Sequence, residues 1–321
     1  MNPKIILCLA LVLSGLAAGG CSTSANSQNR SPAAAQAKFI YSTNADSATV
    51  AIRGYTGSGA ALAIPDAING LPVTSIGGSA FRGPTLTSVI IPDSVTNIGD
   101  EAFSAVDFPY SSLTNVVIGN GVIAVGRGAF HFCDKLTGIR IPKNVTRIGN
   151  LAFGGCFGLK SIIVDSNNAA YSSLDGVLFN KNQTELVQYP AGKAGSYTIP
   201  NTVTDIGDCA LWNCPKLTSI IIPEGVTTIK KEAFAACGSL TSVTIPASVT
   251  NIEIWAFDSC VSLKGVYFHG NAPGHQEYHG YKGIDIYHVF IGDGKAIVYY
   301  LPGTTGWGKT FDGRPTAFWK P

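Results

Sequence analysis

The chain has 321 residues, of which 45% are apolar and 13% are charged, with a formal net charge of +2. The apolar fraction is enough for a folded core and excludes a wholly disordered chain, and the absence of any lysine or arginine run excludes the basic patch of a nucleic-acid binder. With 37 glycines and 17 prolines, the composition favours turns and short strands over long helices.

The chain begins with the pattern of an export signal. A single lysine precedes an apolar run and a stretch of small residues over residues 1–20, which is the layout of a secretory signal peptide. A membrane-spanning helix is the alternative, but it would need about 20 apolar residues. The segment AGGC, ending at Cys21, resembles a bacterial lipobox, and this resemblance implies lipidation of Cys21, with simple secretion as the alternative. Residues 21–37 are small and polar and predict a lipidated, flexible linker.

Most of the remaining chain repeats with a period of 23 residues. The unit reads L-x-x-V-x-I-P-x-x-V-x-x-I-x-x-x-A-F-x-x-C, and three series of residues mark it. Ile-Pro begins at Ile64, Ile91, Ile141, Ile199, Ile222 and Ile245; Ala-Phe ends at Phe81, Phe103, Phe130, Phe153, Phe234 and Phe257; cysteines stand at Cys133, Cys156, Cys214, Cys237 and Cys260. Three series with one period predict a solenoid of stacked parallel coils.

Within each unit the pattern predicts short strands. Val243 and Ile245 are two residues apart and should point to the same, inner side of a strand. Pro246 has no N–H to donate to a neighbouring coil, so the strand should end there. The Ala-Phe segment should be a turn or a single helical turn on the far side of the coil. The expected fold class is therefore mainly β with short helical turns. The coils must also stack, because one coil alone cannot offset the entropy of ordering its residues.

The unit resembles the BspA-like leucine-rich repeats of bacterial surface proteins. The resemblance is carried by segments such as LTSVIIPDSVTNIGDEAF, LTGIRIPKNVTRIGNLAFGGC and LTSIIIPEGVTTIKKEAFAAC, and it covers about residues 62–268. It implies a curved leucine-rich repeat solenoid, a cell-surface location, and binding or adhesion rather than catalysis. No cofactor is expected.

The predicted organisation has a cap at each end of the solenoid. Residues 38–63 alternate apolar and polar and should form an N-terminal β cap. The leucine-rich repeat solenoid should cover 64–270, with an irregular insertion at about 165–198 in which GVLF-NKNQT-ELVQY predicts a hairpin. Residues 271–321 leave the period and should form the C-terminal cap.

The outward positions of the strands before the prolines form the candidate binding surface. These positions are mostly bulky and β-branched, and side by side they should form a continuous concave strip. Such a strip indicates either an interaction surface or simply the strand preference of β-branched residues. Its members are Ile90, Val117, Arg140, Ile163, Ile221, Thr244 and Tyr267.

Two other groups of residues are candidates for a chemical role. The repeated cysteines could form disulfides in an exported protein, but stacked cysteines have parallel Cα–Cβ bonds, which favours buried free thiols. Cys209 occupies the position of an exposed glutamate and should be the more accessible thiol. The segment HQEYH places His275, Glu277 and His279 close together in a glycine-rich loop, which makes them weak metal-ligand candidates against a solvated loop.

The sequence therefore predicts a lipid-anchored protein of the outer membrane or cell surface. Its partners should be a protein or polysaccharide, and the membrane through the lipid anchor. Two alternatives stay open: a glycan-active or metal-dependent enzyme with its site near the C-terminal histidine-rich loop, and a purely architectural envelope protein.

Overall fold

The computed structural model describes residues 38–82, 86–106, 112–275 and 288–320. The described residues form strands joined by turns, with no helix among them. In chain order the strands are β1 (Phe39–Thr43), β2 (Val50–Tyr55), β3 (Ala61–Ala63), β4 (Ala67–Ile68), β5 (Leu71–Ile76), β6 (Ser88–Ile90), β7 (Asn97–Ile98), β8 (Asn115–Val117), β9 (Ala124–Val125), β10 (Gly138–Ile141), β11 (Arg147–Ile148), β12 (Ser161–Val164), β13 (Tyr171–Leu174), β14 (Val177–Asn180), β15 (Glu185–Gln188), β16 (Gly195–Thr198), β17 (Asp205–Ile206), β18 (Leu217–Ile221), β19 (Thr228–Ile229), β20 (Ser242–Ile245), β21 (Asn251–Ile252), β22 (Gly265–Phe268), β23 (Gly274–His275), β24 (Ile297–Tyr300), β25 (Thr310–Phe311) and β26 (Arg314–Phe318).

The coils stack in parallel and have three sides. The first strand face contains the strands before the prolines. On this face β6 pairs with β8 and β10 pairs with β12. The even-numbered strands from β16 to β26 then form one parallel series. On the second strand face, the odd-numbered strands pair in parallel from β5 to β11 and from β15 to β23, and most of them are two residues long. The third side holds the Ala-Phe segments, which are turns. The predicted solenoid of stacked parallel coils is confirmed.

The core is built from side chains that all three sides direct inward. Buried phenylalanines form a column on the turn side, where Phe81 and Phe103 stack with ring centroids 4.8 Å apart and Phe234 and Phe257 stack at 5.0 Å. The backbone keeps this side in register, because the N–H of Phe234 donates to the carbonyl of Ala256 in the next coil at 2.7 Å. Each phenylalanine is therefore packed by the coils next to it, which is why an isolated coil would not be stable.

Each turn segment requires left-handed backbone. One such position precedes Ala-Phe and another precedes the cysteine, and most of them are occupied by residues other than glycine. The non-glycine residues with positive φ at these positions are Ser79, Glu101, Phe132, Leu151, Cys209, Asn213, Glu232, Ala236, Trp255 and Ser259. Each carries a local conformational cost of roughly 1–2 kcal/mol, which the stacking of coils must offset.

The insertion replaces one regular coil with two hairpins. β13 and β14 are antiparallel and joined by Asp175 and Gly176, both with positive φ, which is the geometry of a two-residue hairpin turn. β14 and β15 form the second antiparallel pair, and this is the hairpin predicted from GVLFNKNQTELVQY. β15 then pairs in parallel with β17 and restarts the second strand face. The buried Asn168 holds the start of the insertion, since its amide donates to the carbonyls of Pro142 and Val145 and accepts from two backbone N–H groups.

The terminal segments are closer to coils than their sequences suggest. β2 pairs in parallel with β5, and β1 closes the first edge as an antiparallel strand. At the other end, β24 and β26 continue the first strand face in parallel, and Phe290 stacks on Phe257 at 5.6 Å. The 23-residue period is lost after residue 270, but the stack continues through strands that the irregular spacing had concealed.

Candidate ligand-binding surface

The first strand face exposes a row of large side chains. Successive residues of a strand point to opposite sides, so Val89 and Ile162 are buried in the core while Ile90 and Ile163 point outward. Ile90, Val117, Ile163 and Ile221 expose 49%, 47%, 52% and 58% of their surface. Arg140 and Thr244 are also exposed, and Tyr267 is half-buried. All seven predicted strip residues therefore lie on one strand face.

The strip is divided in two, whereas the sequence predicted it to be continuous. The first strip segment contains Ile90, Val117, Arg140 and Ile163, on β6 to β12, and the second strip segment contains Ile221, Thr244 and Tyr267, on β18 to β22. The insertion separates them, because the N–H of Ile162 donates to Gly176 of the first hairpin instead of to a regular coil. β16 then begins a new parallel series. The expectation of an unbroken strip was wrong for this reason.

The first strip segment is apolar and electrically balanced. A shallow hollow of about 360 Å³ lies between Asn115, Val117, Arg140 and Ile163. The Arg140 guanidinium bonds the Asp165 carboxylate at 2.7 Å. A backbone hydrogen bond from Asn167 and this arginine hold the pKa of Asp165 below its usual value, so the pair is ionised at neutral pH. The charge of Arg140 is thus compensated, and the branched side chains dominate the surface.

The second strip segment is more polar and ends in aromatic rings. A hollow of about 340 Å³ lies above Ile221 and Thr244. His269 borders the hollow, with its Nδ1 3.8 Å from a carboxylate oxygen of Glu224, and its ring stacks on Trp319 at 5.3 Å. The repeat pattern did not predict a role for these three residues. His269 could have been found because it stands 23 residues after Pro246, but Trp319 lies outside the period and left no such signal.

The packing of Tyr267 explains why a glycine stands beside the strip at position 265. A Cβ atom at Gly265 would lie 2.7 Å from a carbon of the Tyr267 ring, so this ring lies over the glycine backbone. The arrangement buries Gly265 and half-buries Tyr267 on the outward face. A larger side chain at 265 would force the ring away from its position.

The cysteines form an internal column of free thiols. All six cysteines in the described part of the chain are unpaired and buried. The Sγ of Cys260 donates to the carbonyl of Phe234 at 3.1 Å, and Cys237 and Cys156 make equivalent bonds to the preceding coil. Burial raises the pKa of the Cys156 and Cys260 thiols and raises the pKa of Cys209 to about 12, while a hydrogen bond with Cys214 and burial raise the pKa of Cys237. None of these four is therefore a thiolate nucleophile at neutral pH. Cys209 is the most exposed of the six, as predicted, but at 7% it is still buried.

The other predicted sites fall largely outside the described residues. Cys21 and the segment before residue 38 lie there, as do Glu277 and His279, and of His275 only the backbone is described, in β23. Among the described residues, no cluster of three or more histidine, cysteine or acidic side chains could hold a metal ion.

In the part of the chain that the structure describes, no helix has the length and apolar character needed to cross a membrane.

Stacked parallel coils with a short leucine- and isoleucine-rich unit define a leucine-rich repeat solenoid. The sequence profile of the BspA-type leucine-rich repeat region matches residues 105–190 and 188–293, with six copies of the repeat, which is more than half of the chain. The chain belongs to the BspA-type leucine-rich repeat family. The leucine-rich repeat solenoid of this family supports a role for the chain as a scaffold for protein interaction.

Three solved structures are similar to this chain, and the first of them shares its fold. A leucine-rich repeat protein from Eubacterium ventriosum is 25% identical, with a TM-score of 0.59 over 82% of this chain and 76% of that chain. The pneumococcal vaccine antigen PcpA is 18% identical, with a TM-score of 0.48, and covers 82% of this chain and 86% of its own. A leucine-rich cell surface protein from Faecalibacterium prausnitzii is 26% identical, with a TM-score of 0.38, over 76% of this chain and 94% of that chain. The search of curated proteins found no match.

Proposed function

We propose that the protein is exported, anchored by a lipid on Cys21, and displayed at the outer membrane or cell surface, where it adheres to a protein through the first strip segment. The observation that carries the proposal is the row of Ile90, Val117 and Ile163, each about half exposed, on one parallel strand face. Contiguous exposed apolar surface is typical of interaction sites. Residues 22–37 would act as a tether between the lipid and the coils.

The rigidity of the face supports this function. β6 and β8 pair along their length, as do β10 and β12, and their inner side chains are packed in the core. The outward side chains are therefore held at fixed spacing before any partner arrives, and little entropy is lost when it binds. The compensated charge of Arg140 suits a partner that is itself largely uncharged at the contact.

The binding test replaces Ile163 with lysine. The full-length protein is presented to immobilised collagen and laminin as probes, and the dissociation constant is measured for the protein and for Ile163→Lys. We expect the substitution to weaken binding at least tenfold, because it places an unpaired charge in the contact. Val261→Lys is the matched control, since Val261 is 65% exposed but lies outside the strip. Equal affinity of Ile163→Lys and the unsubstituted protein would reject this surface.

Lipidation is tested separately. Cells that express the chain are labelled with an alkyne-bearing fatty acid, and the label should be present in the protein and absent from Cys21→Ser. Label of equal strength in Cys21→Ser would reject the anchor without affecting the proposed adhesive surface.

A further inference from the structure

Side-chain hydroxyl groups lie beside the apolar residues of the second strip segment. Ser219 and Ser242 line the hollow of about 340 Å³ together with Ile221 and Thr244. Ser242 stands 23 residues after Ser219, and Thr244 is the register partner of Ile221, so equivalent positions repeat from one coil to the next. Within the described residues, the side-chain hydroxyls of Ser219, Ser242 and Thr244 make no hydrogen bond. They are available to a ligand.

Aromatic rings and one carboxylate complete the site. Trp319 lies against Tyr267 with ring centroids 5.1 Å apart, and Tyr267 stacks on Tyr299 at 4.8 Å. We call these three residues the aromatic wall. Glu224 also lines the hollow, and its carboxylate is largely exposed, with 71% of the side chain accessible. The hollow therefore offers hydroxyls and a carboxylate, and the aromatic wall adjoins it through His269, which lines the hollow and stacks on Trp319 at 5.3 Å. We call the hollow and the adjoining aromatic wall the groove.

We propose that the hollow and the aromatic wall bind a neutral oligosaccharide of pyranose units. A pyranose carries hydroxyl groups that must be paired when they leave water, and the hydroxyls of Ser219, Ser242 and Thr244 can donate or accept while Glu224 accepts. A pyranose also has an apolar face of C–H groups, which packs on aromatic rings such as those of the wall. Both requirements are met in this groove.

The backbone argues against an extended peptide as the ligand. A peptide bound as an added strand needs a free strand edge, whereas β18 and β20 are paired on both sides. The spacing of adjacent strands, about 4.8 Å, is close to the length of one sugar unit. A glycan lying along the stack would meet Ser219 and Ser242 with consecutive units.

The experiment uses the full-length chain, purified in detergent, with cellohexaose, maltohexaose and chitohexaose as probes. Affinity is measured by isothermal titration calorimetry and by the change in tryptophan fluorescence. At least one probe should bind, and Trp319→Ala and Ser242→Ala should each weaken its binding about tenfold. Phe318→Ala is the matched control, since Phe318 is 67% exposed, adjoins Trp319 and lies outside the groove, and it should bind normally.

The outcomes separate this proposal from the adhesive function. Absence of binding by all three probes at millimolar concentration would overturn it, and so would unchanged binding by both variants. If Trp319→Ala does not fold, Ser242→Ala decides, because alanine removes only the hydroxyl and adds no bulk to the hollow. Ile163→Lys should leave saccharide affinity unchanged, since it lies in the first strip segment.

Discussion

Asp293 gives the coil stack a dependence on pH. It follows Phe290 by three residues, as Cys260 follows Phe257, so it stands at the end of the cysteine column. The residue is 1% exposed. Burial raises its pKa from 3.8 to about 7, although the charge of Arg314 nearby acts in the opposite direction.

The sign of the effect follows from proton binding. Between about pH 4 and pH 7 the folded protein keeps the proton on Asp293, whereas the unfolded chain has lost it. The folded state binds more protons in this window, so the free energy of unfolding falls as pH rises through it. A shift of about three pKa units corresponds to roughly 4 kcal/mol at most, since one unit is about 1.4 kcal/mol.

The assay compares the protein with Asp293→Asn by urea denaturation between pH 5 and pH 8. Asparagine cannot ionise, so the stability of the variant relative to the protein should increase between pH 5 and pH 8, since the contribution of Asp293 to stability falls over most of that interval. The difference between the two profiles isolates Asp293 from the histidines. Asp46→Asn is the control, because hydrogen bonds lower the pKa of the exposed Asp46, and its loss should leave the fall with pH in place. Parallel profiles for the protein and Asp293→Asn would refute the reasoning.

Three further substitutions test the packing. Phe234→Ala should reduce the free energy of unfolding by about 3–5 kcal/mol in urea titration, because Phe234 is fully buried, whereas exposed Phe318→Ala should cost less than 1 kcal/mol. Ala236→Gly should stabilise by about 0.5–1 kcal/mol, since Ala236 has a φ of 59°, while Ala247→Gly should destabilise; a loss of stability in both would contradict the strain argument. Asn168→Ala should cost about 3 kcal/mol through its lost hydrogen bonds, measured by the thermal midpoint, and a change below 1 kcal/mol would contradict that role.

The repeating part of the fold could be predicted because each coil has the same physical task. The isoleucine before each proline points inward, the proline ends the strand, and the phenylalanine packs on its neighbours, so the three series identify the coil. The outward position followed from strand alternation alone, which is why Ile90, Ile163 and Ile221 are exposed as expected. Local chemistry determines these features, and the sequence displays local chemistry directly.

Features that depend on contacts between distant segments could not be predicted. Trp319 reaches the second strip segment because β26 continues the stack, and the irregular spacing after residue 270 hides that continuation. The break in the strip arises in the same way, from the insertion. Its first hairpin did leave a signal, since Asp175-Gly176 is typical of a two-residue turn. The sequence analysis used only the second hairpin.

The insertion also connects the cores of the coils on either side of it. The buried side chains form two clusters, one built from the coils before the insertion and the other from the coils after it. β14 belongs to both, because Leu178 packs in the first cluster while Val177 and Phe179 pack in the second. A strand with both sides buried transmits order in both directions, as any regular coil of a solenoid does. The insertion therefore interrupts the exposed strip on the outside while it keeps the core connected on the inside.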